Sequence, residues 1–199
     1  MRLPRVEFNQ PGWLRDSFRG RAPVLPATDD RMRLVIELAK RNVEEGTGGP
    51  FAAAVFAMET GRLIAPGVNV VVPAKCSIAH AEIVSLAAAQ RLLGSHDLGA
   101  AGLPACELVS SVEPCAMCLG AVPWSGVRRL VCGAREEDAA AVGFDEGEKP
   151  AAWVAALERR GIAVVRDVCR RDAADVLKAY RAAGSPIYNG LGARRSPPA

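Results

Sequence analysis

The period of apolar and polar positions changes several times along the chain. Met32, Val35, Ile36, Leu38 and Ala39 recur at helical spacing after Thr28 and Asp29, which can cap a helix, and Gly46 stops the pattern, so a helix is predicted over 28–45. Residues 51–58 form a short apolar run and read as a strand. Thr60-Gly61 turns the chain, and 63–72 reads as the antiparallel partner. Residues 79–93 are rich in Ala and Leu without a breaker, hence a helix ended by Gly94. Strands are expected at 107–111, 129–132 and 162–168, and helices at 115–122, 151–160 and 172–183, with a loop running through Gly147. A hairpin followed by alternating strand and helix implies an α/β fold of three layers, α/β/α, around a mixed five-stranded sheet.

Composition divides the 199 residues. Residues 1–26 are rich in Pro and Arg and show no period, so they read as an irregular N-terminal extension. One alternating domain spans 27–190, and 191–199 reads as a flexible Arg/Ser/Pro tail. Half of the residues are apolar and 24% charged, which excludes a disordered or fibrous chain. The formal net charge of +3 is carried by the two ends; the domain between them has 18 basic and 20 acidic residues and lacks the broad positive face of a nucleic-acid binder. No charge-free run approaches the roughly 20 residues of a membrane helix. Arg2 and Arg5 are followed by no apolar run, so no secretory signal is read and a cytoplasmic address is expected. In that setting the six cysteines are expected to be reduced thiols or metal ligands.

Two short motifs carry chemistry: His80-Ala81-Glu82 and Pro114-Cys115-Ala116-Met117-Cys118. Zinc takes imidazole nitrogen and thiolate sulfur, and a catalytic site holds three protein ligands with one position left for water. His80, Cys115 and Cys118 make three. Cys115 and Cys118, at i and i+3, share one face at a helix start, where the dipole and free N–H groups favour thiolates. His80 and Glu82, at i and i+2, converge only if His80 lies at or before the first turn. Glu82 is then the candidate to take the protons of an activated water. From the chain's composition, both motifs occur together by chance about twice in a thousand sequences. The other reading of the cysteine pair, a structural or redox site, lacks a second C-x-x-C. The second histidine, His96, reads as a loop residue, and Cys76, Cys106, Cys132, Cys169 and Trp124 as packing.

With these motifs the sequence resembles the zinc-dependent cytidine deaminase superfamily, whose pattern is H-x-E followed by P-C-x-x-C. Within it, Gly49-Pro50-Phe51-Ala52-Ala53-Ala54-Val55, Asn69, Glu113 to Ala121, Gly143-Phe144-Asp145-Glu146 and Ile187-Tyr188-Asn189 are most similar to guanine deaminases. The family's usual Phe-Gly after Pro is Phe51-Ala52 here. The resemblance implies a cytidine-deaminase-like fold and one Zn2+ per subunit on His80, Cys115 and Cys118. It implies Glu82 as proton shuttle and Asp145 or Glu146, Glu146 by preference, as the group that protonates the departing amine. Phe51 would stack on a purine, the Asn69 side chain and Ala81 backbone would read its edge, and Tyr188 would close the pocket. The expected reaction is hydrolytic deamination of a free purine, guanine to xanthine and ammonia, by a homodimer with an exchanged C-terminal segment.

Each of these residues also has a plainer reading: core for Phe51, a strand end for Asn69, solvated loop for Asp145 and Glu146, tail docking for Tyr188. Three other functions compete: a deaminase of cytosine, a nucleoside or an aminated triazine; a tRNA adenosine deaminase; and a non-catalytic zinc-stabilised module.

Overall fold

β1 (Ala52–Ala57) is buried along its whole length. Ala52, Ala54 and Phe56 point into one apolar cluster and Ala53 and Val55 into another, so both faces of the sheet are covered. The structure, a computed structural model, describes residues 7–20 and 22–189. β2 (Leu63–Val68) and β3 (Cys106–Val112) flank β1, both antiparallel to it. β4 (Arg129–Ala134) pairs with β3, and β5 (Ala163–Val165) with β4, both in parallel. The sheet order is β2-β1-β3-β4-β5, the mixed five-stranded sheet expected.

The helices are α1 (Gly12–Ser17), α2 (Thr28–Glu44), α3 (Val71–Ala74), α4 (Ala81–Leu93), α5 (Ala116–Ser125), α6 (Glu136–Val142), α7 (Trp153–Glu158) and α8 (Arg170–Ala182). α2 and α8 cover one face through Met32, Val35, Ala173 and Leu177. α4, α5 and α7 cover the other through Leu86, Ala89, Leu119, Val122 and Leu157. Fully buried side chains such as Phe56, Leu108 and Leu130 each contribute about 1.5–3 kcal/mol. The α/β/α layering follows, and the site lies at the carboxyl end of β3, where Val112 and Glu113 line it.

Four elements differ from the sequence reading. The extension is not irregular throughout: residues 12–17 form α1, whose Leu14 is buried. Its six residues carry too short a pattern to be read, and the helix depends on its seat against α2. The second strand stops at Val68 rather than 72. The Asn69 side chain accepts the Val71 N–H (3.3 Å), and Val71–Ala74 turns into α3 although its two valines favour a strand. The expected loop before Gly147 contains α6, held by a box in which the Arg135 N–H donates to Asp138 (2.8 Å). The last strand shrinks to Ala163–Val165. The tail 191–199 lies outside the described residues.

One buried charge cluster ties the extension to the sheet. Glu107 on β3 has no solvent exposure and accepts from Arg31 of α2 and from Arg129 (2.6 Å). Arg31 also donates to the carbonyls of Leu25 (2.7 Å) and Pro26 (2.9 Å).

Candidate active site

His80 is the residue before α4, with extended backbone (φ −71°, ψ 153°), and Cys115 holds the same place before α5 (φ −62°, ψ 170°). Because His80 is not helical, it and Glu82 both line one cavity despite their i, i+2 spacing. The two helix N-termini meet across it. His80 Nδ1 lies 3.5 Å from Cys115 Sγ and 3.6 Å from Cys118 Sγ, and all three donor atoms lie within 4.8 Å of one another. Tetrahedral zinc with ordinary Zn–S and Zn–N lengths has an S···N edge of about 3.6 Å. The three side chains therefore fit a zinc ion by both chemistry and spacing.

The charges support that fit. The Cys115 thiol is pulled down to about 4 by its hydrogen bond with Cys118, against burial, and by His80. Cys118 is pushed up by the same hydrogen bond and by burial. The pair thus carries one negative charge readily and needs a cation to carry two. Burial works against protonating His80, but Cys115 and Glu82 raise it on balance. Glu82 is raised by burial and by the Cys115 charge. Glu146 is raised to about 8 by burial, then by Cys115 and Glu82. Two carboxyl groups that favour the protonated form beside thiolates are suited to moving protons.

The cavity holds about 500 Å³. Phe51, Asn69, His80, Glu82, Cys115, Asp145, Glu146 and Tyr188 all line it; Cys118 and Ala81 lie beneath its surface. Phe51 also packs edge-on against Phe144 (4.8 Å between centroids), so its core and cavity readings hold together. Tyr188 meets Phe144 at 5.9 Å and lines the cavity of its own chain. The Asp145 carboxylate accepts the Gly147 N–H (2.9 Å) in a local turn, which leaves Glu146 as the freer acid of the pair.

The sequence assigns no role to several residues at this site. Asn189 accepts the Asp145 N–H (3.0 Å) and donates to the Gly143 carbonyl (3.1 Å), clasping the acidic loop. Lys149, from the same loop, has a buried side chain that donates to Pro114 O (3.0 Å) and to Glu136 (3.0 Å). Buried Glu113 accepts from Arg166 (2.6 Å) behind the cysteine motif. Trp124, read as packing, lies on the outer face of α5, 85% exposed. Cys106 and Cys132 are packed as expected, and Cys76 and Cys169 are partly exposed.

A family model described as the zinc-binding region of cytidine and deoxycytidylate deaminases matches residues 27–134. Guanine deaminase of Bacillus subtilis (strain 168) is 36% identical over 115 residues, covering 58% of this chain and 69% of that protein. The solved guanine deaminase from Nitrosomonas europaea aligns with a TM-score of 0.86 at 50% identity, covering 89% of this chain and 97% of that one. A mutant of NE0047 in complex with 8-azaguanine aligns equally, at 0.86 and 50%, covering 89% and 98%.

Proposed function

The chain belongs to the cytidine and deoxycytidylate deaminase family of zinc-dependent aminohydrolases, and we propose that it converts free guanine and water to xanthine and ammonia. The observation that carries this reading is the pairing of two acids, buried Glu82 and half-buried Glu146, with the imidazole–dithiolate cluster in one aromatic-walled cavity. The relatives that share the fold at 50% and 36% identity are guanine deaminases by name.

His80, Cys115 and Cys118 would hold the metal, which when bound lowers the pKa of water to near 7 and so supplies a nucleophile at neutral pH. Phe51 stacks on the ring, while the Asn69 side chain and the Ala81 N–H, which has no intrahelical acceptor, read its edge. Glu82 accepts a proton from the attacking water and passes it to the ring nitrogen beside the amine-bearing carbon. Glu146, which burial pushes toward the protonated form, gives a proton to the amine. Ammonia leaves, the hydroxyl proton returns to Glu146, and a carbonyl remains. Tyr188 excludes bulk water from the ring.

The working form is taken to be a cytoplasmic homodimer. Support for the dimer is the exposed apolar pair Met117 and Trp124, one face of α5 at i and i+7. Exchange of the C-terminal segment between subunits would keep the Tyr188 contacts across the interface. A nucleic-acid substrate is not part of this reading, given the domain's 18 basic and 20 acidic residues. The test is ammonia release from guanine, cytosine, adenosine, cytidine, an aminated triazine and tRNA. Guanine well ahead of the rest is expected; turnover confined to a nucleoside or tRNA would overturn the assignment.

A further inference from the structure

A chain of hydrogen bonds runs from the N-terminal extension to the residues that read the base. Trp13 of α1 donates its indole N–H to Thr47 Oγ1 (3.0 Å). The Thr47 hydroxyl donates to Asn42 Oδ1 (2.8 Å). Asn42, fully buried on α2, spends its two amide protons on the carbonyls of Gly49 (2.9 Å) and Asn69 (2.9 Å). The Asn69 N–H in turn donates to the Phe51 carbonyl (3.0 Å).

We infer that α1 is a positioning element of the base pocket: through Trp13, Thr47 and Asn42 it sets the main chain that presents Phe51 and Asn69. The inference rests on the reading that those two residues contact the base. Donor and acceptor directions along the chain are determined. Thr47 has one hydroxyl proton; accepting from Trp13 leaves it for Asn42, whose Oδ1 (2.8 Å) is nearer than its carbonyl oxygen (3.3 Å). Asn42 is then locked with its nitrogen toward both carbonyls, and the flipped amide would set oxygen against oxygen. The loop has no slack to absorb an error. A Cβ at Gly48 would lie 1.8 Å from the Asn69 carbonyl oxygen and 2.7 Å from Asn42 Nδ2. The head of the chain is held as firmly. The Arg41 guanidinium lies 4.6 Å from the Trp13 ring centroid and donates to Ser17 Oγ (2.9 Å). Leu14 is 1% exposed, and Gln10 donates to the Pro66 carbonyl on β2 (3.0 Å).

The test compares Thr47→Val, Thr47→Ser and Trp13→Phe, all zinc-loaded, for 8-azaguanine Kd by calorimetry, guanine KM and kcat, zinc content and Tm. Thr47→Val and Trp13→Phe are expected to raise Kd and KM roughly three- to tenfold, the loss of one hydrogen bond's positioning. Their kcat should stay within about twofold, with full zinc, because the reacting groups do not move. Thr47→Ser, which keeps the hydroxyl, should match the parent protein. Folded Thr47→Val and Trp13→Phe with a lower Tm but unchanged Kd and KM would overturn the inference. If Thr47→Val does not fold, Trp13→Phe decides. A parent protein that neither binds 8-azaguanine nor deaminates guanine would overturn the substrate assignment and this inference together; unchanged constants in variants of an active parent overturn the inference alone.

Discussion

Glu82→Gln isolates the proton chemistry from the metal. Glu82 is 7% exposed with its carboxyl beside Cys115, Cys118 and His80, and the amide has the same shape, so the three donor side chains keep their places. What disappears is the proton acceptor. The proposed reaction sends a proton to Glu82 from water and another from Glu82 to the ring, and positioned acid–base catalysis contributes about 10²- to 10⁴-fold. Glu146 is assigned to the departing amine and does not replace that acceptor. The expected loss in kcat is therefore in the upper part of that range, about 10³- to 10⁴-fold, or roughly 4–5.5 kcal/mol of transition-state stabilisation. The assay is ammonia release from guanine on protein whose zinc has been measured by mass spectrometry, with 8-azaguanine binding as a check on the pocket. A metal-replete variant that keeps more than about a tenth of parental kcat refutes the reasoning.

Three further outcomes are expected. After chelation, iodoacetamide at pH 6 should label Cys115 first among the cysteines, because its thiol titrates at about 4, and zinc should protect it; equal labelling of Cys76 would contradict this. Arg31→Met removes one cation from a carboxylate with no solvent exposure and should cost about 3–5 kcal/mol in urea unfolding, whereas a loss under about 1 kcal/mol would show that Arg129 suffices. Asp138 is held below the usual carboxylate range by Arg170, so its contribution is present above the unfolded value and lost as pH falls through the folded one. Asp138→Asn should therefore lower stability by about 1 kcal/mol at pH 7, with the gap closing in thermal melts once the pH falls below the depressed folded-state value; a gap that persists in strong acid would assign the loss to shape instead of charge.

What was legible in the sequence was what has a strong local or chemical signature. α2 has a clear helical period, β1 is an unbroken apolar run, and the H-x-E and P-C-x-x-C motifs name their chemistry by residue type and spacing. The missed elements are those that tertiary contacts decide. α1 is six residues held by Trp13 on α2, and α3 forms where Asn69 redirects three valines that would otherwise extend a strand. Lys149 reads as one more charge in a solvated loop until the fold buries it under Pro114. Asn42 lies on a helix face whose apolar neighbours carry the pattern, and nothing local shows that its amide faces two distant carbonyls.

The cavity works because two helices begin at the same place. In a regular helix Glu82 would point about 200° around the axis from His80, away from any shared target. Residue 80 escapes this because the helix has not begun: an N-cap residue is extended, and its side chain projects past the helix end. Cys115 gains the same freedom before α5, while Cys118, one turn in, comes round beneath it. The free N–H groups and dipoles of both helices then favour the negative charge that a dithiolate and two carboxyl groups bring together. Cap geometry thus converts two short sequence motifs, 35 residues apart, into one site. It also explains why the loop of residues 75–79 matters to the chemistry: extending α4 by one turn would draw His80 into the helix and separate imidazole from carboxyl.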